Sequence, residues 1–440
     1  MKTLQNLEWA LSSFQQWEKG MNGEAETEFH GLRRSALKAF AEKGYPTTRL
    51  EEWRFTNVQP IAGTSFVPAL RYDPSGVRRE DVGKFFFPGF QGSRLVFING
   101  HYAPEFSERQ DTGVRSLAEV LREDSEAVLR HLGRLVKPGD PFAALNTAFL
   151  QDGAFVRVPD GVEMPGAVHL LFLSTGGEKP ALQTPRNLII VGTGSKVSIV
   201  ETYHTLGGGT NLTNVVTEVF AGEGSVIEHD KMQNESLSSF HVGTTQIEQK
   251  SGSTVTSNAV TLGGSLVRNN VGVVLVGEGC ESTLNGLSVG TGAQLIDNHT
   301  TIDHASAGCE SHELYKAIQD GRSRGVFNGK IFVRKDAQKT DAKQTNKTLL
   351  LSDEAMMDTK PQLEIFADDV KCTHGATVGQ LEEEQLFYLR SRGIPLDAAR
   401  DILTFAFASD VINRVHVEPL REQLDAMLRA RLREGRVTGA

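Results

Sequence analysis

The sequence predicts a mainly β chain whose body is a parallel β-helix, flanked by N-terminal and C-terminal α-helical parts. Three observations carry this. One glycine-cornered phrase returns five times between about residues 190 and 310. From Asp140 onward, short β-branched runs punctuated by glycine replace helical periodicity for about 200 residues. Apolar stripes at helical spacing are confined to the two ends. The chain therefore divides into 1–139, a helical cap with a linking subdomain; 140–378, the β-helix; and 379–440, a C-terminal helical domain.

A chain of 440 residues can bury a large core. The 46 basic against 55 acidic side chains leave a net charge of -9, which with no block of Lys and Arg argues against a nucleic-acid partner. No apolar run reaches the roughly 18 residues that span a bilayer, and Glu8 and Glu18 interrupt any signal pattern. A cytoplasmic protein without a membrane partner is expected. Cys280, Cys309 and Cys372 form neither a CxxC pair nor a disulfide framework, so a ferredoxin-type cluster held by this chain alone is excluded.

Leu4, Leu7, Leu11 and Phe14 predict a first helix closed by Gly20. Phe29, Leu32, Ala36 and Phe40 predict a second from Thr27 to Lys43, with Gly44 as its cap and Pro46 preventing continuation. In Pro46 to Val58, Trp53 and Phe55 read as an anchor that packs this cap onto the next layer. A strand is expected from Arg94 to Gly100, then helical turns over Leu117–Leu121 and Val128–Leu135.

The repeat follows. GTGSKVSIVETY from Gly192, GEGSVIEHDKM from Gly222, KSGSTVTSNAV from Lys250, GEGCESTLNGL from Gly277 and GTGAQLIDNHT from Gly290 each place a glycine corner before alternating residues. The spacing is about 28 residues, with a shorter last interval, as for stacked coils. Val197, Ile199, Val226 and Val255 are expected inside, and roughly ten coils rising about 4.8 Å each would make a body near 45 Å long. No strict period of six supports a left-handed hexapeptide helix. The GxG pairs lack the third glycine and helix of a dinucleotide site, and Gly329-Lys330 lacks the rest of a P-loop, so the chain should not hydrolyse ATP. His229, His241, His299 and His304 are expected in solvated or hydrogen-bonded ladders, and Cys280 and Cys309 as small buried residues.

In the stretch from Lys360 to Leu381, a strand would place Cys372 and His374, two positions apart, on one face with Cβ atoms roughly 7 Å apart. A thiol and an imidazole at that distance can share a metal or cluster, but such sites take about four ligands, so the pair is half a site. Beyond it, a helix runs from the acids after Gly379 to Arg390, Arg392 and Gly393, exposing Leu386, Phe387 and Tyr388 as a docking face. A second helix starts at Pro395 with Ala399, Ile402, Leu403, Ala406 and Phe407 as its stripe. A third, from about Pro419, aligns Leu420, Leu424, Met427 and Leu428.

Six phrases resemble the SufB/SufD family of iron–sulfur cluster assembly scaffolds: EEWRFTNV at Glu51, LNTAFLQDG at Leu145, IDHASAGCESHELYKAI at Ile302, DGRSRGVFNGKIFV at Asp320, KPQLEIFADDVKCTHGATVGQL at Lys360 and LFYLRSRGI at Leu386. The resemblance covers most of the chain. Cys372-Thr-His374-Gly matches the SufD branch, the SufB branch reading like CEHEA after its cysteine; the SufB type is the alternative. The resemblance implies a right-handed β-helix and a non-catalytic subunit of an assembly complex. It implies that His374, with Cys372, completes a site at the junction with a SufB-like paralogue, so iron or a nascent cluster is held only within the complex. It further implies that the region of Leu386, Phe387, Tyr388, Arg390, Arg392, Gly393 and Ile394 binds a SufC-like ATPase. A homodimer is a further expectation for the isolated chain. Outside this family, a β-helix carbohydrate-active enzyme is a further alternative.

Overall fold

The computed structural model describes residues 7–136 and 139–434. Leu4, counted in the first helical stripe, lies outside them. The described chain folds as a parallel β-solenoid whose strands alternate between an 11-stranded and a 10-stranded sheet. Lys196–Leu206 lies in the ten-stranded sheet, Asn211–Ala221 in the other and Val226–Asn234 in the first again, and so on to Lys371–Gly379. About eight turns form where roughly ten were expected. Part of the difference is chain spent outside strands: Pro141–Ala148, read as β territory, is a helix capped by the Asp140 carboxylate. The strand Gly92–Ile98 also joins the ten-stranded sheet, parallel to Ala167–Thr175.

Corner geometry explains the repeat. Gly194, Gly224, Gly252, Gly279 and Gly308 adopt φ of 63°, 60°, 66°, 66° and 68° at one corner of five successive coils, a region that side chains disfavour. The phrase at Gly290 instead precedes Leu295–His304 of the opposite sheet, which accounts for its short interval. The next corner on the original side is Gly308. After these glycines come Ser195, Ser225, Ser253, Cys280 and Cys309, all buried, so both thiols belong to a ladder of small corner residues. One expected inward residue is shifted: Ile227 pairs with Val197 and Val255 in the core, whereas Val226 pairs with Lys196 and Thr254 on the outer face. A one-residue change of register reverses the face.

Helical parts cover the two outer faces. Glu8–Lys19 and Glu28–Lys43 pack with Trp53, Phe142 and Phe149 over Leu212, Phe240 and Leu266 of the 11-stranded sheet. The second helix buries His30, Arg33, Leu37 and Phe40, while Leu32 is 39 % exposed. Its face is rotated because the Arg33 guanidinium donates to the Leu150 carbonyl at 2.9 and 2.5 Å. Helices Leu117–Glu123 and Ser125–Leu129 form, but the expected run to Leu135 ends early; there the Gly133 and Leu135 amides turn to donate to the Glu218 carboxylate.

At the other end, Glu383–Ser391, Leu396–Ile412 and Glu418–Glu434 are helices, with Pro395 at the N-cap position. The middle one buries Ala399, Thr404, Ala408, Val411 and Ile412, leaving Ala406 exposed and Ile402 45 % exposed. It is turned by Lys316 of the ten-stranded sheet, whose Nζ meets Asp410 at 2.8 Å and the Phe407 carbonyl at 3.0 Å. Leu420, Leu424 and Leu428 of the third helix join Val200, Met232, Val260 and Leu287 on that sheet's outer face. Among the described residues no helix is long and apolar enough to cross a membrane.

Candidate functional site

The last two strands, Met356–Ile365 and Lys371–Gly379, close the order of their sheets, so each has a neighbour on one side only. In a parallel strand, alternate residues turn their N–H to opposite neighbours. The amides of Met356 and Phe366 donate back to Ser323 and Val333, so Pro361, at an odd position, faces its missing donor to the open side and costs the ladder nothing. By the same rule the Lys371 amide donates to Thr340, and the amides of Cys372, His374, Ala376 and Val378 face outward. Val370 lies just before this strand and outside it.

Cys372 and His374 share the inward face of the edge strand, opposite Ala342 and Gln344 of the preceding coil. Cys372 is half-buried against Ile331, Val333, Ala342 and Leu363. Burial pushes its thiol pKa up, with Asp341 adding to the effect. A metal taking this sulfur must therefore displace its proton. His374 is exposed and has no hydrogen-bond partner among the described residues. No group of three or more His, Cys, Asp or Glu side chains converges among the described residues, so the pair offers two donors.

The EEWRFTNV phrase fastens the N-terminal part onto this half of the solenoid. Lys360 Nζ of the edge strand meets Glu51 Oε1 at 2.5 Å, and the Arg268 guanidinium lies 4.0 Å from the Trp53 ring while bonding Asp297 at 2.6 Å. Thr56 also donates to Asp297. His299 is held between Asp297 and Glu52 at 3.0 and 3.5 Å. Trp53 is thus the expected anchor.

On Glu383–Ser391, Phe387 is 73 % and Tyr388 56 % exposed; Leu386 and Ile394 are half-buried, and Arg390, Arg392 and Gly393 exposed. The Arg392 guanidinium sits 5.1 Å from the Tyr388 ring, and Gly393 turns the chain at φ 84°. A basic aromatic surface projects here.

Sequence reasoning missed the charges inside the solenoid. Glu201 accepts from Tyr203 and Thr217 at 2.6 and 2.9 Å and meets His229 at 3.0 Å. Burial opposes its charge, but His229, Lys231 and Tyr203 outweigh it and hold the carboxyl at about 2. Glu235 meets His241 at 2.7 Å, and burial brings Lys231 down to about 8. His304 bonds Ser311 at 2.9 Å, so all four repeat histidines are buried and partnered. Farther along, Glu313 is buried opposite Gln344, and burial raises its carboxyl to about 7 against the opposing pull of Thr300 and Gln344. Coil spacing applied to single columns would have placed these residues inward.

Comparison with known proteins now adds to this geometry. Residues 172–407 match the family described as SUF system FeS cluster assembly, SufBD core domain, and residues 7–170 match the SufBD protein N-terminal region. The chain is 33% identical over 406 residues to a Synechocystis protein named as an iron–sulfur cluster assembly SufBD family protein, covering 89% of this chain and 88% of the relative. It is 28% identical over 426 residues to the Escherichia coli iron–sulfur cluster assembly protein SufD, covering 96% and 98%. Protein ABCI7, chloroplastic, of Arabidopsis thaliana is 34% identical over 409 residues, with 89% and 84% covered. With both family regions matched end to end on a solenoid that displays Cys372 and His374 at its open edge, the chain belongs to the SufB/SufD family of iron–sulfur cluster assembly proteins and is SufD-like within it.

Proposed function

We propose that this chain is a non-catalytic scaffold subunit of a cytoplasmic iron–sulfur cluster assembly complex, which pairs with a SufB-like paralogue and docks a SufC-like ATPase. The observation that carries this reading is the Cys372–His374 pair on the inward face of an edge strand whose outer amides are unpaired among the described residues. A second solenoid adding there would continue the ladder and bring its own donors to a two-donor half-site. Iron and the nascent cluster are cargo, held only once both halves meet. The projecting face of Phe387, Tyr388, Arg390 and Arg392 suits an ATPase partner.

His374 is exposed and without a partner among the described residues, so His374→Ala should leave folding and pairing unchanged while cluster loading collapses. Cys372→Ser should act in the same direction and more mildly. Iron and sulfide content of the co-purified complex, measured beside thermal unfolding, tests this; full loading of the His374→Ala complex would overturn the assignment.

A further inference from the structure

Behind His374 lies a column of inward residues that neither family membership nor the half-site explains. Glu313, Gln344 and His374 are successive register partners on three adjacent strands, so their side chains follow one another along the solenoid axis. Gln344 and Glu313 are both buried, and Gln344 Nε2 donates to Glu313 Oε2 at 2.6 Å. The amide reaches across the interior to Arg324–Val333, where a Cβ on Gly329 would stand 2.3 Å from Nε2. Glycine therefore keeps the slot open. With its nitrogen committed to Glu313, the amide leaves Gln344 Oε1 a buried acceptor with no hydrogen-bond partner among the described residues. A buried amide oxygen without a donor is costly in a folded protein. The next residue in the column, His374, carries a ring N–H with no acceptor among the described residues.

We propose that Gln344 and Glu313 are positioning residues for His374: the Gln344 carbonyl accepts one ring N–H, which leaves the other ring nitrogen free for iron, and Glu313 holds the amide in that orientation. This rests on the reading of His374 as the imidazole of the half-site. Histidine ligands in metal sites commonly donate their second N–H to a carbonyl or carboxylate, which fixes tautomer and ring orientation. Here the acceptor would be an amide and the carboxylate its orienter. Burial, which keeps the Glu313 carboxyl partly protonated near neutral pH, limits the negative charge placed behind the site.

The test uses the full chain labelled with nitrogen-15 in its histidines, at pH 8, where an ordinary imidazole is neutral. His374 is assigned by the signal lost in His374→Ala. Wild type should show one dominant neutral tautomer. Gln344→Met, similar in length and lacking the carbonyl, should give a tautomer mixture, as should Glu313→Leu; Glu313→Gln, which keeps an acceptor for the Gln344 amide, should retain the wild-type pattern. In the co-purified complex, Gln344→Met should weaken iron loading about 10-fold or more, the range for removal of such supporting groups. An unchanged tautomer in both Gln344→Met and Glu313→Leu would overturn the proposal, and the two variants alter different coils, so loss of one fold leaves the other informative. The tautomer is read without metal: full loading of the His374→Ala complex would defeat the site assignment alone, whereas an unchanged tautomer would defeat the positioning role alone.

Discussion

A carboxyl buried among apolar and neutral polar groups leaves a thermodynamic signature, and Glu313 is the residue where it should be clearest. Burial raises this group from its ordinary value of 4.5 to about 7. Between those values the unfolded chain gives up the proton while the folded chain keeps it, so this residue's contribution to stability falls as pH rises through the window and is level above it. The full difference is on the order of 3 kcal/mol at about 1.4 kcal/mol per unit. Glu313→Gln removes the titration, so urea unfolding at pH 5 and pH 8 should show wild type losing more stability than the variant; equal losses would contradict the burial argument. Cys372 and His374 were legible from sequence because alternation in a strand needs no tertiary knowledge. Glu313 and Gln344 were not, since only the stacking of coils puts residues about 30 positions apart in one file.

At the scale of elements, the open edge of Lys371–Gly379 is the feature with the most direct consequence. Met356–Ile365, the end strand of the other sheet, has its own outward donors interrupted at Pro361, whereas Cys372, His374, Ala376 and Val378 present theirs without a gap. Proline at Ala376 would remove one outward donor and leave the ladder to Asp341–Leu350 intact. The Ala376→Pro chain should fold with a near-native melting temperature and pair more weakly with a SufB-like paralogue, seen as a later elution of the mixture in size-exclusion chromatography. An unchanged elution volume would argue against pairing by strand addition. Helix existence was legible from apolar spacing, but the buried faces were not: Leu32, Ile402 and Ala406 point outward because Arg33 and Lys316 set how each helix sits on its sheet.

For the molecule as a whole, the two sheets need their helical covers. The last two helices bury Leu420, Leu424, Leu428, Val411 and Ile412 against the outer face of the ten-stranded sheet, so deleting residues 381–440 would expose that apolar face and confound any binding measurement. Phe387 provides a cleaner probe. At 73 % exposure its replacement should change stability by no more than about 0.5 kcal/mol, so Phe387→Asp should preserve unfolding behaviour while weakening association with a SufC-like ATPase by at least about tenfold. Titration of the ATPase against each chain measures it, and equal affinities would move the docking surface elsewhere.

The amino-acid sequence alone determined the solenoid, its glycine corners, the helical ends and the strand that carries Cys372 and His374, because each follows from local period and backbone freedom. Only the tertiary structure decided which corner a repeat occupies, as at Gly290, and which face is inward, as at Ile227 rather than Val226. It also decided that the interior holds ionisable groups such as Glu201, Lys231 and Glu313. The physical reason is that a strand's alternation defines two faces without naming the buried one. Register with the neighbouring coils makes that choice, and a buried charge is tolerated only when those coils supply its partners.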